Sequence, residues 1–110
     1  ESSPIRIEVT GEQWWWRVHY PDAGVDTANE IRIPVGRPVA LTLTSPDVIH
    51  SFWVPALAGK MDMMPGRSNT LVLQADRAGT YRGACAEFCG ASHAEMRLLV
   101  VAMQAPAFEQ

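Results

Sequence analysis

Large apolar residues recur at every second position in three segments, Ile5-Arg6-Ile7-Glu8-Val9, Val39-Ala40-Leu41-Thr42-Leu43 and Thr70-Leu71-Val72-Leu73-Gln74, and this alternation constrains the fold most. Successive side chains of a strand point to opposite faces, so a period of two buries one face and wets the other. Further strand-like segments cover residues 14–20, 31–33, 51–54 and 80–83, and a β-branched run at 98–101 closes the set. Between them stand Pro21-Asp22-Ala23-Gly24, Pro34-Val35-Gly36, Pro65-Gly66-Arg67 and Ala78-Gly79. Each reads as a turn, because proline presets φ and glycine accepts positive φ. Many short strands with frequent turns and little helix predict an all-β chain, a sandwich or Greek-key barrel that buries alternate residues of two sheets.

With 110 residues and 47% hydrophobic content, the expectation is one core and a single domain over 1–110. No apolar run reaches the roughly 18 residues that a membrane helix needs, so any membrane anchor is expected outside these residues. The tail at 105–110 is expected to fray. A formal charge of -3, with nine basic residues scattered along the chain, argues against nucleic acid, which requires a clustered cationic surface. A basic protein partner is compatible with that charge.

The chemistry concentrates in Cys85-Ala86-Glu87-Phe88-Cys89-Gly90-Ala91-Ser92-His93-Ala94-Glu95-Met96, which holds both cysteines of the chain. A structural disulfide is the plain alternative for a pair of cysteines in an exported protein. Residues four apart, however, close so small a loop that a bridge would constrain the unfolded chain little. Two thiolates, an imidazole and a thioether within one turn-rich segment suit copper better. Thiolate and thioether favour the cuprous ion, while imidazole accepts both oxidation states. Structural zinc takes four Cys or His donors and has little use for Met96.

A second imidazole is expected from His50, which follows the strand at 39–44 within Ile49-His50-Ser51-Phe52-Trp53, among bulky apolar residues able to shield a metal. A single histidine in such a place is ordinarily a hydrogen-bonded core residue; the nearby Cys/His/Met segment is what recommends it as a ligand. His19, which follows Trp14-Trp15-Trp16-Arg17-Val18, reads as a strand surface residue.

The pattern Cys-x-Glu-x-Cys-Gly-x-x-His-x-x-Met over residues 85–96 closely resembles the binuclear copper loop of cytochrome c oxidase subunit II. His50-Ser51-Phe52 and Lys60-Met61-Asp62-Met63-Met64-Pro65-Gly66-Arg67 resemble the segment around that family's first histidine ligand and the stretch after it. Gly11-Glu12-Gln13-Trp14-Trp15-Trp16 resembles its aromatic strand.

The resemblance implies a cupredoxin-like barrel in which Cys85 and Cys89 bridge two copper ions, the CuA centre. His50 and Met96 would complete one copper; His93 and the Glu87 backbone carbonyl would complete the other. The Glu87 carboxylate would help bind magnesium at the contact with the catalytic subunit I, near which Asp62 and Arg67 also fall. Trp14 would be the exposed ring that accepts electrons from cytochrome c; Trp15, where the family more often has tyrosine, is a departure. Trp15 and Trp16 are otherwise expected to pack in the barrel. Acidic residues such as Asp22, Asp26 and Glu30 could attract a basic cytochrome. The implied setting is the periplasmic face of a bacterial plasma membrane, or the intermembrane face of a mitochondrion, with the native protein anchored in the membrane.

Three rival readings stand beside this one. The copper domain of a nitrous oxide reductase is similar, but its loop differs around Glu87-Phe88 and Cys89-Gly90. A copper chaperone or Cys-x-x-x-Cys thiol oxidoreductase would need an open, labile site, which the additional His93 and Met96 disfavour. A secreted β-domain with one disulfide would hold no copper.

Overall fold

The computed structural model describes residues 5–12, 15–46, 50–57, 61–85 and 97–104, and at His50, Asp62 and Cys85 it describes the backbone. Among the described residues the elements are ten strands: β1 (Ile5–Glu12), β2 (Trp15–Tyr20), β3 (Val25–Ala28), β4 (Glu30–Pro34), β5 (Val39–Thr44), β6 (His50–Trp53), β7 (Met61–Met63), β8 (Ser68–Leu73), β9 (Gly79–Cys85) and β10 (Arg97–Met103). They form two five-stranded sheets, one in the order β3-β2-β1-β5-β8 (sheet A) and one in the order β4-β10-β9-β6-β7 (sheet B). The expected all-β architecture is what the chain adopts.

The alternation does what its period requires. Ile7 and Val9 of β1, Trp16 and Val18 of β2, and Leu41 and Leu43 of β5 are buried from sheet A. Ile31 and Ile33 of β4, Phe52 of β6, and Leu98 and Val100 of β10 are buried from sheet B. The layers meet at the core's largest rings, where Trp16 and Phe52 stand edge to face with centroids 5.6 Å apart and planes at 86°. That arrangement sets the positive ring edge against the negative face.

Two strands escape the alternation pattern. β3 places no residue in the core; it exists because the turn after β2 folds the chain back, with the Ala23 and Gly24 N–H groups donating to the Tyr20 carbonyl at 3.1 and 2.8 Å and Gly24 at φ 67°. The short β7 is held by pairing with β6, His50 opposite Met63 and Phe52 opposite Met61.

Between β3 and β4 the chain crosses from sheet A to sheet B, and Asn29 makes the crossing. It takes a left-handed conformation at φ 63°, which asparagine tolerates better than most residues. Its side-chain oxygen accepts from the Trp16 N–H at 2.8 Å, its own N–H donates to the Trp16 carbonyl at 2.8 Å, and its carbonyl accepts from the Leu99 N–H at 3.0 Å. One residue thus satisfies backbone groups of both sheets. Close by, the Tyr20 hydroxyl accepts from the Arg32 N–H at 2.8 Å, tying β2 to β4.

Candidate metal centre

Strand directions gather the suspect segments at one end of the molecule. β1 runs parallel to β5, Thr10 opposite Thr44, so the β1–β2 hairpin end, where Glu12 faces Trp15, lies at the end where β5 stops. Ser45 bridges to Pro65 there, bringing the chain after β7 alongside. β6 and β9 pair antiparallel, Phe52 opposite Cys85 and Trp53 opposite Ala84. His50 therefore sits beyond Phe52 on the side toward which the chain continues past Cys85. β10 returns next to β9, Arg97 opposite Ala84, so the end of β9 and the start of β10, which flank residues 86–96 in the sequence, lie at this same end.

Of the expected ligands, His50 and Cys85 thus occupy neighbouring strands, at the first position of β6 and the last of β9. Glu87, Cys89, His93 and Met96 lie outside the described residues, as do Phe88 and the expected electron-entry residue Trp14. Among the described residues no three His, Cys, Asp or Glu side chains form a metal-holding group. Asp62 pairs with Ser51 across β6–β7. Arg67 is exposed, and its N–H donates to the Met64 carbonyl at 3.1 Å.

What holds β6 against β9 is close packing. A Cβ added at Gly83 would stand 2.8 Å from Val54 Cγ2 and 2.9 Å from the Trp53 carbonyl oxygen. Only glycine permits that approach, two residues before Cys85. Phe52, the cross-strand partner of Cys85, is wholly buried, as are Ser51 and Val54. In the sequence Gly83 served only as the end of a strand, although an isolated glycine in a strand pattern is itself a sign of close backbone approach.

At the hairpin end, Trp16 packs in the core as expected, while Trp15 is half-buried under the Arg17 guanidinium, 5.4 Å from its ring centroid. Arg17 also reaches Glu12 at 3.2 Å. His19 is a strand surface residue, as expected, and it pairs with Asp26. The three acids considered as attractants are each engaged by a basic side chain: Asp26 by His19, Asp22 by Arg6 at 3.9 Å and Glu30 by Arg32 at 2.7 Å. Tyr20, whose hydroxyl joins this cluster, has its pKa pushed above 10.0, chiefly by burial and against the lowering effect of the Arg32 N–H.

Comparison with known proteins agrees with this architecture. A family model described as cytochrome c oxidase subunit II, periplasmic domain, matches residues 23–103. The cytochrome c oxidase subunit 2 of Alkalihalophilus pseudofirmus is 46% identical over 100 residues, 91% of this chain and 29% of that protein. The chain spans 28% to 31% of the length of the first curated relatives it matches. Among solved structures, the periplasmic domain of subunit II of cytochrome oxidase (CoxB) of Bradyrhizobium japonicum superposes with a TM-score of 0.93 at 30% identity, covering 99% of this chain and 91% of that one. A chain of a haem-copper terminal oxidase dimer matches with a TM-score of 0.74 at 26% identity, covering 92% of this chain and 66% of that one. The cupredoxin-like fold expected from the resemblance is therefore present, and the chain belongs to the family of cytochrome c oxidase subunit II periplasmic domains.

Proposed function

We propose that this chain is a single electron-transfer domain that holds a CuA pair, accepts electrons from cytochrome c and passes them to the haem of the catalytic subunit of a terminal oxidase. The supporting observation is a convergence. Cys85 ends β9, His50 begins the adjacent β6, and the connection from β9 to β10 carries Cys89, His93 and Met96. Two thiolates, two imidazoles and a thioether match the mixed soft and borderline donors that copper prefers.

Cys85 and Cys89 would bind as thiolates, releasing their protons, and His50 and His93 as neutral imidazoles. His50 and Met96 would hold one copper, and His93 with the Glu87 carbonyl the other. When bound, the pair supplies a one-electron redox unit that shares its charge over both metals and so reorganises little. Buried Phe52 and half-buried Trp53 would keep water from the β6 side of the pair, which would limit solvent reorganisation. Bond-making chemistry belongs to the catalytic subunit. In the intact complex the Glu87 carboxylate would help hold magnesium against that subunit, and Trp14 would receive the incoming electron. The family's periplasmic setting supports an outer-face location and a membrane anchor elsewhere in the native protein.

Electron spin resonance of the copper-loaded chain tests this proposal. Hyperfine splitting from two equivalent copper nuclei, with two coppers per chain by metal analysis, is expected. One copper per fully loaded chain, or a Cys85–Cys89 disulfide that persists under mild reduction, overturns it. Cys85→Ser should abolish the two-copper signal, whereas Met96→Leu should keep the pair with an altered potential, because thioether is the weaker ligand.

A further inference from the structure

The outer face of sheet B brings two arginines together beside an exposed leucine. β10 turns Leu98, Val100 and Ala102 into the core, which leaves Arg97, Leu99 and Val101 on the outside. The register Leu99 opposite Arg82 and Arg97 opposite Ala84 adds Arg82 and Ala84 of β9 to that face. Arg82 and Arg97 are thus diagonal neighbours, about 7–8 Å apart at the backbone, with Leu99 beside them at 40% exposure.

Two guanidiniums at that spacing repel each other unless an anion lies between them. Elsewhere Arg6, Arg17 and Arg32 each sit against a carboxylate; among the described residues, none stands within ion-pair distance of Arg82 or Arg97. Glu30, the acid across from Leu99 on β4, is taken by Arg32. A surface hollow of about 210 Å³ opens at this point, lined by Arg82, Gly83, Ala84, Arg97, Leu98 and Leu99. The single methyl of Ala84 leaves it open.

We infer that this face is a docking surface for an acidic protein segment, one that sets carboxylates against Arg82 and Arg97 and an apolar side chain against Leu99. The guanidinium fork matches a carboxylate in two-point contact. A membrane surface would call for four to eight basic residues in a cluster, whereas here two arginines bracket a side-chain-sized hollow. In a chain of net charge -3, a cationic pair that meets no carboxylate among the described residues, beside an exposed leucine, selects for opposite charge and for an apolar anchor together. Because Arg97 follows the connection 86–96 directly, the partner would cover the flank of the candidate centre. The inference is independent of the copper reading.

The test uses the 110-residue chain, uniformly 15N-labelled, titrated with the capped pentapeptide Glu-Asp-Leu-Asp-Glu. Saturable shifts confined to the amides of residues 82–84 and 97–99 are expected, weakening as salt is raised. The double variant R82Q/R97Q, and separately the charge reversal R82E/R97E, should weaken binding about tenfold or more while leaving circular dichroism unchanged, and Leu99→Ser should weaken it less. Absence of shifts, equal shifts from Lys-Lys-Leu-Lys-Lys, binding indifferent to the arginine variants, or engagement of these residues by phosphatidylglycerol vesicles but not by the acidic peptide would each overturn the proposal.

Discussion

Sheets A and B contain the same number of strands but are sewn together differently at the end that bears the candidate centre. In sheet A, β5 runs in register with β1 from Val39 to Thr44 and, on its other side, with β8 over the same residues. In sheet B, β6 meets β9, among the described residues, at Phe52–Cys85 and Trp53–Ala84. Both seams bury side chains, Leu41 and Leu43 of β5 in the first and Phe52 and Val54 in the second, but the second also seats Val54 directly over the backbone of Gly83. The geometry of the second seam is thus set by side-chain volume, and His50 and Cys85 begin and end its two strands. Precision at a site comes from the elements behind it.

The largest test of this contrast is Trp16→Ala. Removing the ring that joins the sheets through Phe52 should cost about 3–5 kcal/mol, read as a lower denaturation midpoint for the whole chain. If the loss is confined to sheet B signals, the two sheets do not share one cooperative core.

Gly83→Ala should cost less, about 1–3 kcal/mol, because the new methyl must displace Val54 or the Trp53 carbonyl. Its mark would be local: hydrogen exchange should accelerate at β6 and β9 while the β1–β5 amides stay protected. Uniform loss of protection would show that the close approach at Gly83 is not a local feature of the β6–β9 pair.

Tyr20→Phe sits at the sheets' other junction. Loss of the hydroxyl acceptor for the Arg32 N–H should cost about 1 kcal/mol or less. It also carries a pH signature. The folded pKa of Tyr20 is raised above 10.0, first by burial, so its contribution is fully present below pH 10 and disappears as pH climbs through the folded value. The variant should therefore flatten the alkaline limb of a stability-against-pH curve. Asp26→Asn is expected to have the smallest effect, within about 0.5 kcal/mol, since its partner His19 lies on the surface; a larger loss would mean that the β2–β3 hairpin is integral to sheet A.

Much of this organisation was legible in the chain. The segments at 5–9, 39–43 and 70–74 announced their inward faces, because period two is a local signal that pleated geometry converts directly into burial. β3 and β7 were not legible, since neither Val25-Asp26-Thr27-Ala28 nor Met61-Asp62-Met63 carries an alternation strong enough to stand apart from its partner strand. Among the candidate ligands, the residue types and spacing of Cys85, Cys89, His93 and Met96 pointed to copper without any fold. That Asp22, Asp26 and Glu30 lie against Arg6, His19 and Arg32 was not legible, because those contacts depend on strand pairing and side-chain placement.

What the sequence determined by itself is donor chemistry and strand identity, because both are carried by residues close together along the chain. Which strands are neighbours was decided only in three dimensions. The parallel pairing of β1 with β5 and of β4 with β10, the crossing at Asn29, the approach of Val54 to Gly83 and the meeting of Arg82 with Arg97 all join residues distant in sequence. Such contacts follow from how two sheets share one core, a condition that no local stretch of sequence expresses.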